Sequence, residues 1–121
     1  MIKKTLILGA SNKPHRYAYL AAQRLLGQQH EIVLLGNKES EIFGQTIRIG
    51  KPQLADIHTV TVYLSPIHQA MYYDYILEDI RPKRIIFNPN TENPSFMELA
   101  RKKGIEVEAA CTLVLLSTNS Y

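Results

Sequence analysis

Short apolar runs alternate with helix-forming segments along the whole of this chain, and that alternation leaves few folds open. Thr5–Leu8 is a two-sided apolar run, as a strand covered on both faces of a parallel sheet must be. After the turn Gly9–Pro14, helical spacing of Tyr17, Leu20, Ala21 and Leu25 predicts a helix from about His15 to Gln28, with Pro14 at its first position and Gly27 as its stop. Glu31–Leu35 is a second buried strand, ended by Gly36-Asn37-Lys38-Glu39. Ile42-Phe43-Gly44 and Thr46–Ile49 suggest a short extended piece, broken by Gly50-Lys51-Pro52. Thr59–Leu64 is a further strand. Ser65-Pro66 then reads as a cap and first helical residue, opening a helix that carries Ile67, Ala70, Met71, Tyr73, Ile76, Leu77 and Ile80 and ends at Pro82. Arg84–Phe87 is the next strand. Asn93-Pro94 opens a helix with a buried stripe of Phe96, Leu99 and Ala100 and a C′ glycine at Gly104. Ile105–Ala109 alternates as an edge strand does, Cys111–Leu116 is a last apolar segment, and Ser117–Tyr121 is tail. Strand and helix in alternation with short connections predict an α/β, Rossmann-like doubly wound domain, its mainly parallel sheet flanked by helices on both faces.

Length agrees: 121 residues supply one core, so residues 1–121 are read as a single domain. Hydrophobic residues at 45% and charged residues at 21% are ordinary globular usage. No apolar run is long enough to span a bilayer. Lys3 and Lys4 precede apolar residues, but that run stops at Gly9, too short for a secretory signal. The lone Cys111 cannot form an internal disulfide, and the expected location is cytoplasmic. A net charge of +3 leaves open an anionic ligand as well as nucleic acid. The longest basic run, Arg101-Lys102-Lys103, falls at a helix end where cations complement the dipole, which argues against nucleic acid as a partner.

In such sheets ligands bind beyond the carboxyl ends of the strands, where strand order reverses. The loop leaving the first strand is the main candidate: Gly9, Ala10, Ser11, Asn12, Lys13 and Arg16 combine backbone N–H groups at a helix start with hydroxyl, amide and cationic donors. Only Gly9 of the G-x-G-x-x-G pattern is present, so spacing alone also fits a plain strand-to-helix turn. At the second strand's end an NAD site expects Asp or Glu; Asn37 and Lys38 stand there instead, favouring a phosphorylated ribose as in NADP or coenzyme A, although Glu39 is adjacent. Leu64, Ser65 and Pro66, and Asn88, are candidate walls for an extended ligand arm.

A strand ending in Gly9-Ala10-Ser11, the Asn12-Lys13-Pro14 turn and Arg16 soon after it resemble the small bacterial CoA-binding domain proteins and the nucleotide-binding half of the succinyl-CoA synthetase α-subunit. The resemblance extends through Ile42-Phe43-Gly44, Gly104-Ile105-Glu106-Val107 and Cys111-Thr112-Leu113-Val114. It implies that Gly9, Ala10, Ser11 and Arg16 lie along the ligand's pyrophosphate. It also implies that Asn37 and Lys38 approach the adenosine with its 3′-phosphate, and that Leu64, Ser65 and Pro66 border adenine or pantetheine. Two turns depart from the family pattern: Gly36-Asn37-Lys38 stands where Asn-Pro is common, and Asn88–Asn93 where many relatives carry glutamine and glycine.

No catalytic constellation is visible. His15, His30, His58 and His68 lack metal-ligand spacing, and neither a G-x-S-x-G nor a P-loop occurs. Cys111 could form a mixed disulfide with a CoA thiol, or be a buried inert thiol. Tyr72, Tyr73 and Tyr75 offer an exposed remainder for a homodimer contact. The expected function is a non-enzymatic module binding coenzyme A or acyl-CoA. An NADP-dependent oxidoreductase-like domain and a scaffold with a degenerate pocket are the alternatives.

Overall fold

A computed structural model describes residues 2–121. Its centre is a seven-stranded sheet in the order β3-β4-β2-β1-β5-β6-β7. The strands are β1 (Thr5–Leu8), β2 (Ile32–Leu35), β3 (Ser40–Ile42), β4 (Gln45–Arg48), β5 (Thr59–Val62), β6 (Arg84–Phe87) and β7 (Glu106–Ala109). All neighbours are parallel except β3 and β4. β1, β5 and β6 are buried at every position, which is why they read as unbroken strand runs. The extended piece is an antiparallel hairpin whose turn places Phe43 and Gly44 at φ 52° and 74°, the left-handed pair that a tight hairpin uses. As expected, β7 lies at one edge.

The side chains of β1 divide between two cores. Leu6 and Leu8 join Val60, Val62, Phe87, Phe96 and Ala100 on one face; Ile7 joins Ala18, Ala22, Leu25, Leu34 and Leu116 on the other. Helices α1 (Tyr17–Gly27) and α4 (Thr112–Ser117) cover the second face, and α2 (Pro66–Gln69, continued by a 3₁₀ turn over Ala70–Tyr72 and a π turn over Tyr75–Ile80) and α3 (Pro94–Lys102) cover the first. The chain winds outward from β1 to β4, then returns to β5 on β1's other side. Strand order thus reverses between β1 and β5, where the carboxyl ends open a crevice.

Several expectations need correction. α1 begins at Tyr17, so Pro14 lies in the loop and Arg16 is the N-cap; Ala18, Ala21, Ala22 and Leu25 are buried, while Tyr17 faces solvent. Small alanines let the helix pack close to the sheet, which a tyrosine in their place would prevent. The segment after Ser65 is not one regular helix, and Ile67, Ala70 and Met71 are exposed. Ser65 has the extended backbone of an N-cap, but its hydroxyl pairs with His68 Nδ1 at 2.8 Å instead of capping an amide. Asn93 does cap, accepting from the Phe96 N–H at 3.2 Å. Leu99 is exposed. Cys111 is the N-cap of α4, half-buried. None of Tyr72, Tyr73 and Tyr75 is exposed: Tyr75 is buried, and Tyr73 bonds Asn93 and packs on Phe96. The tail folds back under the sheet, where the Tyr121 hydroxyl meets Thr5 Oγ1 and the Arg84 guanidinium lies 4.5 Å from its ring. Among the described residues no helix is long and apolar enough to cross a membrane.

Candidate functional site

The chain leaves β1 through a residue with no room for a side chain. Gly9 has φ 97°, a conformation that L side chains rarely adopt, and a Cβ there would sit 3.1 Å from the Tyr63 carbonyl carbon. The Gly9 and Ala10 N–H groups both donate to the Leu35 carbonyl, at 2.9 and 2.8 Å, tying the loop to the tip of β2. Farther along, the Lys13 N–H donates to Ser11 Oγ at 3.1 Å and the Arg16 N–H to the Lys13 carbonyl at 3.0 Å. Among the described residues the backbone N–H groups of Ser11 and Asn12 meet no acceptor. The Asn12 side chain donates to Ser40 Oγ at 2.9 Å, joining the loop to the β3–β4 hairpin.

α1 then starts in an electrostatically costly way. A helix N-terminus presents unpaired N–H groups and partial positive charge, normally answered by Ser, Thr, Asp or Asn at the N-cap. Here the N-cap is Arg16, no side chain caps the helix, and its first turn holds no acid. Lys13 and Arg16 add two cations to the positive end of the dipole. Taken alone this arrangement destabilises the helix. It becomes favourable once an anion accepts those N–H groups and faces the guanidinium.

The result is a cleft of about 500 Å³ at the β1–β5 reversal. It brings together Gly9, Ala10, Ser11, Asn12, Lys13, Arg16, Asn37, Lys38 and Leu64, nine of the residues singled out from sequence. Ser65 and Pro66 lie outside its lining, turned to solvent at the start of α2. Asn88 is a correction of another kind. It is 2% exposed, and its Nδ2 donates to Thr61 Oγ1 at 2.7 Å and the Val62 carbonyl at 2.9 Å. Its Oδ1 accepts from the Thr112 N–H at 2.9 Å, so the amide clamps β5, β6 and α4 together, buried and outside the cleft lining. Cys111 likewise lies outside the cleft lining.

Sequence reasoning missed Tyr63, Met71, Tyr72 and His68, all of which line the cleft. Tyr63 was readable from the alternation of β5: two residues beyond Thr61, it points to the α1 face. Its hydroxyl is buried beside Thr61 and Thr112 with no hydrogen-bond partner among the described residues. Burial pushes its ionisation up to about 12, so the phenol stays neutral. Polar donors and cations line the part of the cleft beside α1, and Leu64, Met71 and Tyr72, with the His68 imidazole among them, line the part beside α2.

A protein-family model described as CoA binding domain matches residues 3–117. A solved structure of an uncharacterised protein is 46% identical, covering 100% of this chain and 99% of its own, with a TM-score of 0.97. A protein from Thermus thermophilus is 20% identical over 99% of this chain and 91% of its own, with a TM-score of 0.83. A hypothetical protein from Pyrococcus horikoshii is 23% identical over 98% of this chain and 83% of its own, with a TM-score of 0.82; these last two share the fold. Among curated proteins none matches this chain.

Proposed function

The chain belongs to the CoA binding domain family, and on that premise we propose that it is a non-enzymatic module holding coenzyme A by its diphosphate between the β1–α1 loop and the start of α1. The observation that carries this reading is the uncapped, acid-free N-terminus of α1 with Arg16 at the N-cap. Such an end is stabilised by an anion placed on it, and a diphosphate supplies enough acceptor oxygens for the Ser11 and Asn12 N–H groups and the Arg16 fork together. Asn37 and Lys38, exposed at the tip of β2, take the phosphorylated ribose, and Leu64 borders the pantetheine.

The groups facing the cleft are suited to holding an anion. Lys13, Arg16 and Lys38 are cations, and Tyr63 is a phenol held neutral at physiological pH. Thermal unfolding with CoA, NADP, NAD and ATP in parallel tests the reading. CoA raises the midpoint most, by linkage to the folded state. Stabilisation by NADP in preference to CoA would replace it with the oxidoreductase-like alternative, and stabilisation by none would leave a scaffold with a degenerate pocket.

A further inference from the structure

α2 is built inside out. A surface helix buries its apolar residues and exposes its polar ones, but here Gln69 is fully buried while Ile67 is 83% and Met71 63% exposed. The inversion is firmly held. Gln69 Nε2 donates to the Leu64 and Thr91 carbonyls, both at 2.8 Å, and Gln69 Oε1 accepts from Asn93 Nδ2 at 3.1 Å. A buried amide with every partner satisfied fixes one rotation of the helix, and that rotation turns two large apolar side chains to water. Met71, in the 3₁₀ turn that continues α2, lines the cleft with Leu64, His68 and Tyr72, and Ile67, on the turn before it, lies just outside that lining and faces solvent.

We propose that the natural ligand is an acyl thioester of coenzyme A whose acyl chain lies on Ile67 and Met71. This rests on the CoA reading above and extends it to the far end of the ligand. Continuity decides the occupant. A ligand anchored by its diphosphate beside α1 sends its thiol arm toward the part beside α2, and a chain attached there meets Met71 and then Ile67. Breaking the usual polar-out pattern at one place, with a dedicated hydrogen-bond network to maintain it, is what a binding surface requires.

The test compares free CoA with octanoyl-CoA by calorimetry on the wild-type protein and on an Ile67→Ser/Met71→Ser double variant. Both substitutions are at exposed positions, so the variant folds; its circular dichroism and unfolding midpoint verify this. The wild type binds octanoyl-CoA about tenfold or more tightly than CoA, the gain from burying roughly two methylenes. In the double variant that ratio falls to near one. Equal affinities in the wild type, or a ratio unchanged in the variant, overturn the acyl assignment while leaving CoA binding intact. Failure of free CoA and octanoyl-CoA alike overturns the CoA reading itself, and the acyl assignment with it. Sedimentation closes the remaining possibility: a wild-type dimer that dissociates in the variant, with equal affinities for the two ligands, assigns this face to a second copy of the chain and rejects the proposal.

Discussion

A Cβ on Gly36 would stand 2.7 Å from the carbonyl oxygen of Ala10 and 2.9 Å from Ile47 Cγ2. The loop leaving β1 and the tip of β2 are therefore in direct backbone contact, and this contact sets the floor of the cleft. Leu35 accepts from Gly9 and Ala10 on one side, while Gly36 donates to the Arg48 carbonyl at 2.9 Å on the other. Neither neighbour is the far end of a flexible side chain, so a methyl group must push the loop away. Gly36→Ala is expected to lower stability by about 1–3 kcal/mol, the usual range for overpacking. Urea unfolding measures this, and the same variant should bind CoA more weakly because Ser11 and Asn12 move with the loop.

Arg16 makes a prediction with two opposite signs. Arg16→Ser removes the guanidinium and supplies a capping hydroxyl, so the ligand-free protein should become more stable by about 1 kcal/mol. CoA affinity should fall by about 10- to 100-fold, as expected for losing a charge-assisted hydrogen bond. Chemical denaturation and calorimetry read the two effects separately. A variant both less stable and equally avid would mean that Arg16 serves the fold and not the ligand.

Asn88 belongs to the architecture. Replacing it by Ala leaves the Thr112 N–H and the Val62 carbonyl short of a buried partner, and a loss of about 1–3 kcal/mol is expected. Once saturation is reached under folding conditions, CoA affinity should change little, which distinguishes a clamp from a contact residue.

These cases show what was legible in the chain. Thr5–Leu8 and Arg84–Phe87 were readable because a strand buried on both faces shows itself in local composition. The loop from Gly9 to Arg16 was readable because the carboxyl-edge rule turns strand order into a location. Asn88 and Gln69 were not. Whether an amide is buried depends on partners from segments 20 or more residues away, such as the Thr91 carbonyl and the Thr112 N–H, and local pattern carries no record of them. The same blindness placed Ile67 and Met71 in the core, since apolar spacing predicts burial unless a distant network holds the helix the other way round.

Stability should also depend on pH through the histidines beneath the sheet. His30 and His58 titrate below the ordinary value of 6.5, first because burial penalises the charged ring, then because Lys3 repels a charged His30 and Arg84 a charged His58. His30 Nδ1 accepts from the Lys3 N–H at 2.9 Å, a role that a protonated ring gives up. The unfolded chain thus binds these protons more readily than the folded one. Their contribution is whole above pH 6.5 and is lost as pH falls through that value toward the lower folded ones. The urea midpoint should be lower at about pH 5.5 than at about pH 7.5, with a smaller drop in a His30→Gln/His58→Gln variant. An equal drop in that variant would place the dependence elsewhere.

The most direct measurement is an amide-resolved NMR titration of the protein with coenzyme A. The N–H resonances of Ser11 and Asn12 and of the first turn of α1 are expected to shift downfield and saturate together, as donors do on closing onto phosphate oxygens. Saturable binding that leaves those resonances in place, with the large shifts elsewhere on the molecule, would contradict a diphosphate held at this loop.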